Sequence, residues 1–535
     1  MSKPKILVAD KIADKGIADL QAEEGLEVVV QTDITPEELL ASASEYSGII
    51  VRSRSKVPAA VLEAATSLKA VGRAGVGVNN IDLDAATKHG VVVMNTPTGN
   101  TVSTAEHAFT LMLSLARKIP QAHAHVLEKQ EKWKRNNYQG VEIQGKTLSV
   151  LGMGRIGSEF AKRATAFGMK VVAYDPYLSK SRAEALKVEV VDELEDALKV
   201  ADFVTLHMPV TPETTKMLNK ERIALMKPEA RVVNCARGEL VDEEALADAL
   251  KEGRLAGAAL DVFSSEPPAP DCPFFEMDNV VMTPHLGAST EEAQESVGIE
   301  IAQAIRDYLL DGVVTNAVNM PSVDEKTMAE ISPYMDFAVV LGRLLSQIVP
   351  PRPNVLRINY MGKLGGLDTT LISRAALKGF LEKAVGESGV NPVNAMDVAE
   401  NLGLRFTESH LADPAEFTDL IEVVAGNGTD DEVTVSGTMF GGRGRIVKIN
   451  GRHVEAQPEG CVLMLENTDR PGMIGAVGML LGNHSINIAN MSLSRNRVGG
   501  RALTVLNLDS VPGDDILREL EAVDGIIEAT CAQLG

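Results

Sequence analysis

Cysteine is scarce: four residues in 535 (Cys235, Cys272, Cys461 and Cys531). None stands in a C-x-x-C pair, so neither a disulfide framework nor a metal site is expected. Positive charge is also in deficit, with 52 Lys and Arg against 74 Asp and Glu and a formal net charge of −22. A surface that acidic repels nucleic acid and anionic lipid, which removes both from the expected partners. Any small anionic ligand must then be caught by a local basic pocket. Apolar runs of membrane-spanning length are missing, as are low-complexity tracts and repeats of about 20–50 residues, so solenoids are excluded. A strand-like run, Ile6-Leu7-Val8, begins almost at once. It leaves no room for a secretory signal, and the expected compartment is the cytoplasm. What is present is ordinary for a globular protein, 45% hydrophobic and 24% charged. The chain is long enough for three or four domains at about 150 residues each.

From residue 5 to 94 short apolar runs alternate with helical periodicity. Ile6–Ala9, Glu27–Val30, Gly48–Val51, Ala70–Gly72 and Val91–Met94 read as strands, Pro58–Ala65 and Leu83–His89 as helices. That rhythm predicts a parallel sheet with crossover helices. A long helix is expected from Ser103 to about Gln130, then a second α/β series from Gln144-Gly145-Lys146 to about His285, then a helix over Glu291–Leu310. Between about 321 and 455 the texture changes to mixed helices and short strands around Pro350-Pro351-Arg352-Pro353 and paired glycines, with no catalytic signature. The final stretch is more regular. Strands are expected at Val462–Glu466, Ile486–Leu493, Ala502–Leu508 and Ile526–Ala532, helices at Gly472–Leu481 and Asp514–Leu520. That βαββαβ order is a ferredoxin-like sandwich.

Lys146–Leu151 is a strand pattern leading into Gly152-Met153-Gly154-Arg155-Ile156-Gly157 and the helical run Ser158–Phe167; the next strand, Lys170–Tyr174, ends at Asp175. Alone, G-x-G-x-x-G is a weak signal. Between strand and helix, with an acidic residue closing the following strand, it reads as a dinucleotide site. Gly152 permits the tight turn, Gly154 lets a pyrophosphate approach the backbone, and Gly157 lets helix and strand pack closely. The helix N-terminus offers free N–H groups to phosphate oxygens. Asp175 would accept the adenosine ribose hydroxyls and repel a 2′-phosphate, so NAD is expected rather than NADP.

Six ordered blocks resemble the D-isomer-specific 2-hydroxyacid dehydrogenases: GRAGVGVNNID (72–82), NTPTGNTVSTAEH (95–107), GKTLSVLGMGRIG (145–157), NCARGELVDEEAL (234–246), GAALDVFSSEP (257–267) and TPHLGAST (283–290). Hydride removal from a secondary alcohol needs a base for the hydroxyl proton and a cation for the neighbouring carboxylate. The resemblance implies His285 as the acid/base, Glu266 as the carboxylate that orients it, and Arg237 as the substrate carboxylate ligand. It further implies that Arg155 and Ile156 lie over the pyrophosphate, that Cys235, Ala236 and Arg237 line the nicotinamide side, that Asp261 sits near the nicotinamide amide, and that the loop His285, Leu286, Gly287, Ala288 closes the site. Val76 and Met208 stand where a hydroxyl residue often meets the cofactor. His107, His123, His125 and His207 lack such context and read as structural or solvated, and no acidic or cysteine cluster frames His123-Ala124-His125 as a metal site.

Val51-Arg52-Ser53-Arg54-Ser55 and Gly72-Arg73-Ala74-Gly75 each follow a strand, where parallel sheets bind ligands. Two arginine-bearing loops in so acidic a chain read as a pocket for a phosphate; ion pairs at the surface are the other reading. In the long-form, phosphoglycerate-oxidising members of the family, the matching substrate positions are Arg52, Ser53, Arg73 and Gly75, with Arg54 and Asn100 as helpers. The tail resembles an ACT domain, implying Asn467, Asp469 and, across a dimer interface, Asn487 as ligands for L-serine as effector; a dimerisation module without ligand is the alternative. The expected architecture is α/β. Two Rossmann-like/flavodoxin-like parallel-sheet domains (substrate, 1–98 with 286–318; NAD, 99–285) precede an α+β intervening domain (319–455) and a ferredoxin-like ACT domain (456–535). The expected reaction is NAD-dependent oxidation of 3-phospho-D-glycerate to 3-phosphohydroxypyruvate, the first step to L-serine, by a homodimer or homotetramer. A glycerate- or hydroxypyruvate-reductase-type enzyme and a non-enzymatic NAD-sensing protein are the rivals. Trp133 reads either as an interface residue or as core.

Overall fold

The computed structural model describes residues 3–128, 135–321, 323, 325–411, 417–428 and 431–534; Trp133 lies outside them. The first five strands, Lys5–Val8, Glu27–Val30, Gly48–Val51, Ala70–Arg73 and Val92–Met94, form a parallel sheet in the order 2-1-3-4-5. These strands are apolar nearly throughout because both faces are covered. Leu7, Ile49, Val71 and Val93 pack on one side, while Ile6, Val8, Ile50 and Val92 meet Ile301 and Ile305 on the other. The latter two come from the helix Glu291–Asp311, which returns from far along the chain to close the sheet. Thr290 caps that helix by accepting the Ala293 N–H, and Gly312, at φ 71°, ends it.

Seven parallel strands make the second sheet. Counted from its own first strand, the order is 7-6-5-4-1-2-3, so the winding reverses between Thr147–Leu151 and Phe203–Leu206. Open sheets of this kind bind ligands outside the carboxyl ends at that reversal. The single helix expected over 103–130 is two, Thr101–Arg117 and Ile119–Glu128, with Lys118 left-handed between them at φ 52°. Pro120 has no N–H to give the Ala116 carbonyl, and the Val141 N–H takes that acceptor instead at 2.9 Å.

The third sheet has six strands, mostly antiparallel. Its strands reach seven or eight residues (Val355–Gly362, Asp419–Gly426, Val433–Phe440) rather than the short ones expected. The last sheet is antiparallel in its own order 2-3-1-4, the ferredoxin-like arrangement. Alternation along its first strand, Cys461–Thr468, explains how it is covered twice. Cys461, Leu463 and Leu465 face the domain's own helices; Val462 and Met464 join the core around the long helix Glu325–Ile348. No helix among the described residues is long and apolar enough to cross a membrane.

Candidate active site

The two parallel sheets face each other across a cleft holding two adjoining cavities, of about 530 Å³ and about 350 Å³. Arg237, His285, Asn100 and Ala288 line both. Ile156, Cys235, Ala236, Asp261 and Gly287 line only the larger, Ser53, Arg73 and Glu266 only the smaller.

At the nucleotide end, Gly152 stands at φ 95°, and a Cβ there would lie 2.5 Å from the His207 carbonyl oxygen. Only glycine fits where the first and fourth strands part. A Cβ at Gly157 would overlap the Gly152 carbonyl, so helix Arg155–Ala166 comes close under the turn. Above Gly154 the space is open, and no side chain caps this helix, leaving its first N–H groups for an anion. Asp175 accepts the N–H groups of Met153 (2.7 Å) and Tyr177 (2.9 Å), one on each oxygen; each oxygen keeps a lone pair. Open space over Gly154, free amides and a fixed carboxylate beyond fit a dinucleotide. Arg155 is half committed, giving Nη1 to the Pro97 carbonyl at 3.3 Å. Burial pushes the Cys235 thiol well up, with Asp261 adding to it. Burial also drives His207 down to about 3, so its ring is neutral.

His285 Nδ1 lies 2.7 Å from Glu266 Oε2. A carboxylate only accepts, so Nδ1 carries the proton of the neutral ring and Nε2 is the basic nitrogen. Glu266 is itself fixed by accepting the Phe263 N–H at 3.1 Å. The His285 backbone is left-handed, at φ 56°, a conformation that needs support from its surroundings. Its N–H bonds the Asp261 carbonyl at 2.9 Å. Leu286 and Gly287 give their N–H groups to the Asp261 carboxylate at 2.7 and 2.9 Å. Asp261 is fully buried. Burial raises it, but bonds from His107, Thr283 and Leu286 outweigh that and hold it below the usual carboxylate range. Leu286 thus serves the loop through its backbone, whereas Gly287 and Ala288 line the cavity.

Arg237 follows the strand Arg231–Asn234, and its turn is tied by the buried Asn234 side chain, which donates to the Arg237 carbonyl and accepts the Ala236 N–H. Burial lowers the Arg237 guanidinium, against the pull of Glu239 and Glu266. Arg73 is pushed down to about 10, first by burial, then by the charges of Arg237 and Arg52. Its Nε is buried with no hydrogen-bond partner among the described residues, and so is Asn100 Oδ1. Gly75, at φ 139°, leaves room for the Arg73 guanidinium, which a Cβ would overlap.

Asp10 organises the other arginine loop. Buried, it accepts the N–H groups of Arg52 (2.6 Å) and Ser55 (3.1 Å), the Ser55 hydroxyl and Arg54 Nε. Arg54, expected as a substrate helper, is therefore spent on Asp10 and the Ala9 carbonyl. Arg52 gives Nη1 to the Lys11 carbonyl and lines a neighbouring cavity with Lys11 and Thr290. Asp10, Asn234, Thr283 and His107 were all missed as site-building residues. Thr283, Asn234 and His107 carried a signal, because they lie inside the motif blocks, whereas Asp10 lies outside all of them.

In the tail the three expected effector residues do not meet within one chain. Asn467 is buried and accepts the Thr504 hydroxyl at 2.9 Å, so its amide is spent inside the sheet rather than offered to a ligand. Asp469 accepts the Gly499 N–H and faces Arg495; Asn487 donates to Asp509. Strand pairing puts Asp469 beside the Arg501 end of strand Arg501–Leu508 and Asn487 beside the Leu508 end.

Three family models match: the D-isomer specific 2-hydroxyacid dehydrogenase NAD binding domain at 109–287, the D-3-phosphoglycerate dehydrogenase intervening domain at 330–450, and the ACT domain at 462–525. D-3-phosphoglycerate dehydrogenase of Archaeoglobus fulgidus is 44% identical over 99% of this chain and 100% of its own length. The Bacillus subtilis enzyme of that name is 41% identical over 99% of each. Among solved structures, the TT0316 protein of Thermus thermophilus is 37% identical with a TM-score of 0.54, over 59% of this chain and 99% of that one. With an NAD-binding domain, an intervening domain and an ACT domain in that order, and full-length likeness at this identity, the chain is an oxidoreductase that belongs to the D-3-phosphoglycerate dehydrogenase family of the D-isomer-specific 2-hydroxyacid dehydrogenases.

Proposed function

We propose that the enzyme oxidises 3-phospho-D-glycerate to 3-phosphohydroxypyruvate with NAD in the cytoplasm, as the first step toward L-serine, and that L-serine restrains it through the ACT domain. One observation carries the substrate: a buried Arg73, with an unpartnered Nε, held beside two further arginines. Buried like charges are unfavourable unless an anion joins them. The relatives' names supply its class, a phosphorylated 2-hydroxy acid.

In this reading His285 Nε2 takes the hydroxyl proton and the imidazolium is stabilised by Glu266 at Nδ1. Arg237 holds the substrate carboxylate, setting the distance and angle of the reacting carbon. Arg73 and Arg52 take the phosphate, with Ser53 and Asn100 as neutral partners. Gly152, Gly154, Gly157 and the amides of Arg155 and Ile156 hold the pyrophosphate, and Asp175 holds the ribose hydroxyls. When bound, NAD supplies the hydride acceptor at its nicotinamide C4. Buried Cys235 and partly buried Ala236 keep water from that face. The effector site takes Asp469 from one copy and Asn487 from another, which implies a homo-oligomer.

The test is NADH formation with 3-phospho-D-glycerate against D-glycerate, with and without L-serine. The phosphorylated acid is expected to exceed the plain one by about 10³-fold or more in kcat/KM, the discrimination open to a site with buried polar groups made for the missing moiety. Preference for D-glycerate would overturn the substrate, and a rate indifferent to L-serine would overturn the regulation.

A further inference from the structure

The helix Thr101–Arg117 presents Ser103, Thr104 and His107, three and four residues apart and so on one face, to the segment that holds the catalytic histidine. Ser103 donates to the Gly287 carbonyl at 2.9 Å. His107 Nε2 lies 3.1 Å from Asp261 Oδ1 and 3.1 Å from Thr283 Oγ1. We infer that His107 is a positioning residue: it fixes the Asp261 carboxylate that clamps Thr283–Gly287, and thereby holds His285 opposite Arg237. The inference rests on the proposed role of His285 as acid/base.

A fully buried carboxylate must have its lone pairs met by donors. Of the four donors to Asp261 side-chain oxygens among the described residues, three belong to the loop being held: Thr283 Oγ1 at 2.6 Å, the Leu286 N–H at 2.7 Å and the Gly287 N–H at 2.9 Å. The loop cannot anchor its own anchor. His107 is the donor from outside, on a rigid helix, and the one able to carry a compensating charge. Because Thr283 gives its proton to Asp261, its oxygen accepts from the same Nε2–H, so one imidazole fixes both ends of that bond. Without it Asp261 rises toward protonation and loses its grip on the two amides. The left-handed backbone of His285 then keeps its own N–H bond to the Asp261 carbonyl but loses the clamp on the two residues that follow it, and is freer to relax.

The variants His107→Leu, His107→Asn and His107→Gln separate donor geometry from packing, since glutamine places an N–H near the Nε2 position and asparagine falls short. With 3-phospho-D-glycerate and NAD, the Leu and Asn variants are expected to lose about 10- to 100-fold in kcat with KM changed less than about threefold, and Gln to recover to within about threefold of the parent. Amide hydrogen exchange in the peptide covering 283–290 is expected to quicken by about tenfold in Leu and Asn and not in Gln. Parental kcat in the Leu variant, unchanged exchange in 283–290, or a Gln variant no better than Leu would overturn the inference. Should Leu fail to fold, the Asn and Gln pair decides. The exchange measurement needs no substrate, so a parent chain inactive on every 2-hydroxy acid would defeat the proposed function while leaving the role of His107 still decided.

Discussion

In the proposed function the cleft and the tail face the same problem, assembling polar groups around a small charged ligand, and meet it by opposite means. In the cleft, parallel strands deliver their carboxyl ends to one edge, so Arg73, Arg237 and His285, spread over more than two hundred residues, line a single cavity. In the tail, antiparallel pairing sends alternate strand ends to opposite edges. Asp469 and Asn487 are separated by the length of strand Arg501–Leu508, about 23 Å at about 3.3 Å per residue. A parallel sheet makes a site within one chain; in the proposed reading, this small antiparallel sheet makes half of two sites and a second copy completes each.

Breaking the cleft at its base should give the largest effect. His285→Asn removes the basic nitrogen and is expected to lower kcat by about 10²- to 10⁴-fold, the range for a positioned general base, measured by steady-state NADH formation; near-full turnover would place the base elsewhere. Arg73→Met comes next. Truncating one partner of a buried charge pair should raise KM for 3-phospho-D-glycerate by about 10²-fold and leave D-glycerate turnover within about threefold. The same change should stabilise the empty fold. With Arg73 held at about 10, below its value in an unfolded chain, the protonated group disfavours the folded state at all pH values below about 10. That cost shrinks only as pH rises from there toward the ordinary arginine value. At neutral pH the Met variant is therefore expected to melt about 2 °C or more higher by calorimetry. By the same sign, the affinity of the parent for the phosphorylated acid should fall as pH rises through about 10.

The nucleotide end offers a smaller perturbation. Asp175→Ser removes the charge proposed to face the adenosine ribose while keeping a hydrogen-bond acceptor. NADP should gain about tenfold in kcat/KM and NAD lose a comparable factor, read by running the two cofactors in parallel. No gain for NADP would mean that exclusion of the 2′-phosphate lies in shape rather than in this carboxylate.

Much of this was legible in advance because the cleft rests on short-range grammar. Strand runs, the glycine turn and the blocks around Arg237, Glu266 and His285 are contiguous in sequence. The long-range partners were not legible. Asp10 meets Arg52 from 42 residues away and His107 meets Asp261 from 154; Asp10 lies outside the motif blocks, and the block that ends at His107 does not name its partner. Arg54 shows the reverse error: an arginine at a strand end looked like a ligand for substrate, but a buried carboxylate just past the adjacent strand had the prior claim. The helix break at Lys118 was in view as Pro120, whose missing N–H was outweighed by an apolar periodicity running straight through it. Asn467 misled because a motif position says nothing about which face of a strand its side chain takes; here that face is the interior, against Thr504.

The comparison is sharpest where it predicts almost no change in turnover. Asp469→Ala and Asn487→Ala should each abolish inhibition by L-serine while kcat stays within about twofold, since both lie outside the cleft. If each effector site joins Asp469 of one copy to Asn487 of another, a mixed oligomer concentrates both lesions in one site and leaves the other intact. Co-expressing the two variants should therefore restore partial serine inhibition that neither shows alone. A site contained in one chain would gain nothing from mixing, because every copy would still carry its own lesion. Recovery on mixing thus distinguishes the antiparallel tail from the self-sufficient cleft. In the cleft the same experiment with His285→Asn and Arg237→Ala should recover no activity, because both residues act on one substrate within one protomer.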